Sequence, residues 1–224
     1  MPLATRPRAV VLDVNETLSD LAPLGPAFEE EGAPAHLAPL WFASVLRDGF
    51  GLSLAGAPRP FVEVAAGALR PLLAAAGVED LDGAGQRVLD ALGTLPVRAD
   101  VPEGLQALAA AGLRVVTLTN GAVATTDALL RRGAARPHVD LLLSVEDAGA
   151  WKPDRRAYEH AARATRLAPQ DLLLVAVHPW DVDGAARAGL RTAWLDRAGT
   201  PYPSHATLPD LVARDLLDLA GQLA

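Results

Sequence analysis

The chain has no cysteine and no isoleucine, a single lysine and two asparagines among its 224 residues. Without cysteine, disulfides, thiolate nucleophiles and zinc-thiolate sites are excluded. No apolar run approaches the ~20 residues that a membrane span requires, and residues 1–8 do not begin a signal peptide, so a cytoplasmic protein without a membrane partner is expected. Acidic residues outnumber basic ones, 27 to 20, for a formal charge of -7. That balance provides no basic face and argues against a nucleic-acid partner. With 50% hydrophobic residues the chain can bury a full core, as one domain with an insertion or as two small ones.

The scarcities themselves are informative. Arginine has replaced lysine everywhere but at Lys152, so that position calls for a compact, point-like ammonium rather than a planar guanidinium. The two asparagines, Asn15 and Asn120, each follow an apolar run that reads as a strand.

The first such run, Ala9 to Leu12, ends abruptly at Asp13, with Asn15 and Thr17 just beyond. A buried parallel strand reads this way, and in open α/β sheets ligands sit beyond the carboxyl ends of the strands. Read locally, the same acid serves equally well as a helix N-cap or turn residue. From Leu21 to about Pro96 there is no buried-strand signal. Leu37, Leu40, Trp41, Val45 and Leu46 fall at helical spacing, as do Phe61, Val64, Leu69, Leu72 and Leu73, and then Val88, Leu89 and Leu92. This is an inserted helical unit, and most of these residues read as its core.

From Val101 the chain alternates. A helix is expected over Glu103 to Ala111 with Gly112 as its C-cap, then a strand, RVVTLT, ending at Thr119 before Asn120, and a helix over Ala122 to Arg132. A strand from Leu141 to Val145 leads to AGAWKPD, where Pro153 opens a helix and Lys152 stands just before it. Further strands run from Asp171 to Val177, delivering HPWDVDGA, and from 191 to 195; a helix from about Leu208 to Leu223 closes the chain. Strands alternating with helices form a parallel sheet covered on both faces.

In such a sheet Asp13, Asn15, Thr17, Thr119, Asn120, Lys152, His178 and Asp181 share one edge. A carboxylate beside an ammonium stays ionised, which makes Asp13 a nucleophile rather than an acid. Donors on Thr17, Thr119 and Asn120 suit an anionic substrate and a later oxyanion. Asp181 can orient Lys152 or activate water.

This order of motifs resembles the haloacid dehalogenase superfamily, through Asp13, Thr119, Lys152 and Asp181. The resemblance implies an α/β fold, a Rossmann-like doubly wound parallel sheet over residues 1–18 and 97–224, with an α-helical cap inserted over 19–96. More narrowly the chain is similar to the type II 2-haloacid dehalogenases, in TLTNGA, in WKPDRRAY with Tyr158 six residues after Lys152, and in WDVDGAARAGLRTAWLDR. The resemblance implies attack by Asp13 on a halogen-bearing carbon, an aspartyl ester, and hydrolysis of that ester assisted by Lys152 and Asp181. It implies no cofactor and no metal, a small anionic substrate, and a possible homodimer through the cap.

The residues that phosphatases of the superfamily would need are missing. Asn15 replaces their second acid and cannot donate a proton, and Val177 stands where an acid would hold Mg²⁺. Departures from the dehalogenases are as specific. Phe42, directly after Trp41, occupies the place of the cap arginine that receives halide, while Ala176 and His178 occupy those of a serine and an asparagine. Arg47 is no substitute, since five residues advance a helix about 500°, roughly 140° away from Phe42. His178 is expected to make up part of the missing donors, carrying a proton toward the halide or the substrate carboxylate, with a backbone-bonded loop histidine as the alternative. Trp41 and Phe42 either wall the substrate or simply pack their helix. Trp151 and Trp194 read as core, and His36, His138, His160 and His205 as surface. Small-molecule phosphatase activity, or binding without turnover, are the other functions compatible with the residues.

Overall fold

The computed structural model describes residues 6–224; the first five residues of the expected range 1–18 lie outside it. Two compact units result, one ending at Ser19 and resuming at Val97, the other running from Asp20 to Pro96.

The first unit is a six-stranded sheet. Its first strand, β1 (Ala9–Leu12), is buried along its whole length, as expected of a continuous apolar run with neighbours on both sides. The helical unit follows as α1 (Leu24–Glu30), α2 (Leu37–Leu54), α3 (Phe61–Ala75) and α4 (Leu81–Gly93). The chain then builds α5 (Val101–Ala110), β2 (Arg114–Thr119), α6 (Val123–Arg132), β3 (Leu141–Ser144), α7 (Arg155–Thr165) and β4 (Leu172–Ala176). It ends with α8 (Pro179–Ala188), β5 (Arg191–Leu195), β6 (Leu211–Ala213) and α9 (Leu216–Leu223). The strand order is β3-β2-β1-β4-β5-β6, and every pairing is parallel.

The order reverses at β1, which lies between β2 and β4, with Leu12 opposite both Thr117 and Val175. A crevice opens at such a reversal, beyond the carboxyl ends of the strands. Period-two alternation divides the sheet's side chains. Val10, Leu12, Val115, Leu173, Val175 and Ala193 join residues of α5 and α9 in one core cluster, while α8 packs on β4, β5 and α7.

Four local expectations are corrected. The segment from Leu208 is not the start of the last helix: 211–213 form the edge strand β6, paired with β5. Asp210 Oδ2 accepts from Thr192 N (2.8 Å), and α9 begins only after Asp215, whose carboxylate accepts from Asp218 N (2.8 Å). Helix α7 starts at Arg155 rather than Pro153, because Asp154 caps it through Arg156 N (2.9 Å). In α2 the buried stripe is Trp41, Phe42, Val45, Gly49 and Ser53, leaving Leu40 half exposed. Helix α5 ends at Ala110, and Gly112, at φ +80°, lies two residues past its last turn.

Helices α5 and α9 approach closely at Gly104, where an added Cβ would lie 2.3 Å from Leu216 Cβ. Overpacking of this kind costs about 1–3 kcal/mol. Gly104→Ala is therefore expected to lower the unfolding free energy by that amount in a urea titration, with α5 or α9 displaced.

Candidate active site

Asp13 follows β1 without a break. Its amide donates to Val175 O (3.0 Å), extending the strand ladder by one residue, so its side chain is the first to emerge beyond the strand. Lys152 comes from the loop between β3 and α7, just before a cis peptide to Pro153. Its Nζ donates to Asp13 Oδ1 (2.7 Å) and Asp181 Oδ2 (2.7 Å). Asp181, in the first turn of α8, is fully buried, as is Lys152, and Asp13 is 4% exposed.

Burial by itself would raise the Asp13 pKa, but the Lys152 ammonium and the hydrogen bond from His178 outweigh it and hold the carboxyl far below the usual range. For Lys152, burial opposes the charge, yet the flanking Asp13 and Asp181 carboxylates keep its pKa above that of a free lysine. Burial dominates at Asp181, with the Asp13 charge adding to it, and its pKa is raised despite Lys152. The two acids are thus set apart: Asp13 is held ionised, and Asp181 is the more basic.

Thr17 and His178 hold the other oxygen of Asp13. Thr17 Oγ1 donates to Oδ2 (2.7 Å) and accepts from Val177 N (3.1 Å). His178 Nδ1 lies 3.3 Å from the same oxygen, and its Nε2 lies 2.8 Å from Glu16 Oε2. Burial disfavours a charged imidazole, but the hydrogen bonds to Asp13 and Glu16 prevail and raise the His178 pKa to about 9. Both nitrogens are committed within the chain, so His178 is not free to carry a proton to a leaving halide, contrary to the expectation.

Two other residues also have partners within the site. Tyr158 is buried, and its hydroxyl donates to Asp181 Oδ1 (2.7 Å) and reaches Asp181 O (3.1 Å), which positions Asp181. Asn120 Oδ1 accepts from Lys152 N (2.9 Å) and its Nδ2 donates to Lys152 O (3.5 Å). Its amide braces the lysine loop. Thr119 Oγ1 accepts from Gly121 N (2.9 Å), which leaves its proton for a ligand. Asn15 is half-buried.

Trp41 and Phe42 belong to the helical unit. Trp41 is buried, its Nε1 donates to Ala65 O (2.9 Å) and its ring packs on Phe28, all within the helical unit. Phe42 packs on Phe61. Trp151 and Trp194 are buried as expected, and Trp194 Nε1 also donates to Val177 O (3.0 Å), anchoring the loop after β4. His138 and His160 are half-buried instead of on the surface, while His36 and His205 are exposed.

Three residues at the site carry no signal that sequence reading isolated. Glu16 holds His178 from a backbone at φ +62°. Trp180 places its ring centroid 6.0 Å from Lys152 Nζ and 5.0 Å from the His178 ring. Gly184 sits where a Cβ would lie 2.5 Å from Pro153 Cβ and 2.7 Å from the Tyr158 hydroxyl. A glycine spaced one turn beyond an acid in HPWDVDGA was the available clue to the last of these.

A parallel α/β core with an ionised aspartate and a lysine at the switch point defines a hydrolase class, and the chain belongs to the haloacid dehalogenase-like hydrolases, whose family model matches residues 7–189. It is 30% identical over 206 residues to an (S)-2-haloacid dehalogenase of Pseudomonas sp. (strain YL), covering 91% of this chain and 88% of that one. Among solved structures it superposes on a dehalogenase with an intermediate complex at TM-score 0.92, with 28% identity and 99% of each chain covered. It superposes on the L-2-haloacid dehalogenase of Xanthobacter autotrophicus at TM-score 0.87, with 25% identity, covering 96% of this chain and 97% of that one.

Gly184→Ala is expected to push Tyr158 off Asp181 and lower turnover more than it lowers stability, a split read by comparing kcat with the urea midpoint. The His178 pairings should also make stability pH-dependent. Because its pKa is raised in the fold, its contribution is complete below about 6.5 and is lost as pH rises through about 9. Unfolding free energies between pH 6 and 10 should fall along that window in the wild type and lose this component in His178→Asn.

Proposed function

We propose that the protein hydrolyses the carbon–halogen bond of a short 2-haloalkanoic acid, with Asp13 as nucleophile. The observation that carries this reading is the state of Asp13: a buried carboxylate kept ionised by Lys152 at 2.7 Å, at the crevice of the sheet. Such an anion attacks carbon in line; halide departs with the bonding pair, needing no proton, and an aspartyl ester remains. Water then adds to the ester carbonyl and restores the carboxylate. Asp181, made more basic by burial, is suited to take the water's proton. Fixing the partners at attack distance supplies ~7–11 kcal/mol of barrier reduction. The names of the similar dehalogenases support the substrate class.

An anionic substrate is supported by topology as well. Helices α6 and α8 follow β2 and β4, so their N-termini face the strand ends that carry Asp13, and backbone N–H groups there favour a carboxylate.

The donor set does not suit a divalent cation. Asp13 and Asp181 both face the Lys152 ammonium, and Val177 contributes no oxygen, whereas hard cations require several oxygen ligands. Phe42, in the place of the arginine that the resemblance implies, favours a second reading: a protein that binds haloacids without turning them over. A cytoplasmic homodimer belongs to the main reading. Exposed Leu40, Leu54 and Val62 on the helical unit support association.

Chloride or bromide release from 2-haloacids by the wild type, unaffected by EDTA, should fall by at least about 10³-fold in Asp13→Asn. Intact-mass measurement during turnover should reveal the ester on the wild type alone. Halide release that survives the substitution, or that requires Mg²⁺, excludes this mechanism; a wild type that binds haloacids and forms no adduct establishes the binding reading.

A further inference from the structure

We propose that His178, held by Glu16, is a catalytic residue of ester hydrolysis: with Thr17 it receives the negative charge that develops on Asp13 Oδ2 when water attacks. The assignment rests on the dehalogenation reading above and concerns only its second half.

The two oxygens of Asp13 are not equivalent. Oδ1 has one donor, Lys152 Nζ at 2.7 Å. Oδ2 faces two, Thr17 Oγ1 at 2.7 Å and His178 Nδ1 at 3.3 Å. The Thr17 hydroxyl accepts from Val177 N, which directs its only proton at Oδ2. His178 lies between two carboxylates, Asp13 and Glu16, each of which can only accept, so both ring nitrogens carry a proton and the ring is an imidazolium. Its raised pKa, about 9, agrees with that geometry. Oδ1, with fewer donors, retains the lone pair that attacks carbon, and Oδ2 becomes the ester carbonyl oxygen.

Charge flow then assigns the donors to one step. In the resting carboxylate Oδ2 shares a single negative charge, and alkylation at Oδ1 drains it. Donors at Oδ2 therefore oppose alkylation slightly. In hydrolysis the water oxygen bonds to Cγ, its proton passes to Asp181, and the carbonyl pair moves onto Oδ2, which bears a full charge. Collapse returns the pair from Oδ2 to the carbonyl and breaks the bond between Cγ and Oδ1, the departing alkoxide takes the proton from Asp181, and the second water proton leaves to solvent as Asp13 becomes a carboxylate again. Prearranged donors act most strongly where charge develops, and Thr17 and His178 meet that oxygen within a water-poor site.

Glu16 is the positioning residue. Its backbone lies at φ +62°, a conformation that residues other than glycine rarely adopt. The strain is held by Ser19 Oγ, which accepts from Glu16 N (3.2 Å), and by Arg98 Nε, which donates to Glu16 O (2.8 Å). The twist turns the carboxylate onto His178 Nε2. The charged groups facing His178 are then Asp13 from the end of β1 and Glu16 from the loop after it. Trp180 from α8 presents only an aromatic ring, and Lys152 stands beyond Asp13.

Burst kinetics with chloroacetate test the assignment. His178→Ala should release about one equivalent of chloride at the wild-type rate or faster. Its ester, seen by intact mass, should then hydrolyse on the order of 10²-fold more slowly. His178→Asn, whose amide nitrogen can occupy the place of Nδ1, should recover part of the hydrolysis rate and lose the alkaline fall in turnover. Glu16→Gln keeps the hydrogen bond but not the charge and should move that fall to lower pH. Equal losses in both steps with no accumulated ester, or an alkaline limb unmoved in both Glu16→Gln and His178→Asn, would overturn the role of His178 while leaving Asp13 chemistry standing. A wild type that forms no ester removes the dehalogenation reading and this assignment together.

Discussion

One buried ammonium joins three segments that the parallel sheet delivers to the same edge. Asp13 follows β1, Lys152 follows β3 and Asp181 opens α8, and Nζ lies 2.7 Å from each carboxylate. Taking such charges out of water costs several kcal/mol per ion, and their attraction returns it only when the remaining lone pairs and protons also find partners. Here they do, through Thr17 and His178 on Asp13 and Tyr158 on Asp181. The arrangement is not a device for stability. Its product is two neighbouring acids with opposite tendencies, one fixed as an anion and one able to accept a proton, within a single hydrogen-bonded unit.

The scaffold behind that unit is built from backbone contacts. Asn120 grips the peptide of Lys152, Ser144 Oγ donates to Gly121 O (2.8 Å) and steadies the loop that carries Asn120, and Trp194 holds Val177 O. Arg197 pairs with Asp100 (2.9 Å) while donating to Thr17 O (3.0 Å), tying the loop after β1 to the start of α5. Side chains that look like substrate contacts by their position in a motif are, in several cases, the supports that set the geometry of the few groups able to react. Sites held this tightly confine the reacting atoms to a narrow range of positions.

Much of this was legible in the chain itself, for identifiable reasons. Central strands buried on both faces leave continuous apolar runs, so β1, β2 and β5 could be placed almost to the residue, and the alternation with helices implied the parallel sheet that is observed. Lys152 stood out because arginine fills every other basic position. The edge strand β6 was hidden because Leu208, Leu211, Val212, Leu216 and Leu219 repeat at helical spacing, and only pairing with β5 decides otherwise. Pro153 suggested a helix start that the cap at Asp154 displaces. Glu16 was illegible for a deeper reason: its role depends on a positive φ, and a glutamate gives no local warning of one. Which backbone or carboxylate group an amide or hydroxyl meets is likewise a three-dimensional fact, which is why the bonds of Asn120 to Lys152 and of Tyr158 to Asp181 are not legible in the sequence.

The exclusive use of arginine outside the site has a practical corollary. Every other permanently charged cation among the chain's side chains is a guanidinium, and the one primary amine among them is sealed from solvent between two acids. Reagents that acylate, crosslink or reductively methylate lysine find no exposed lysine side chain, and they reach this amine only in molecules whose centre has opened. Labelling of this ε-amine, resolved from that of the α-amino group, thus reports on the integrity of the charged cluster itself, a built-in probe that most proteins, dotted with surface lysines, do not possess.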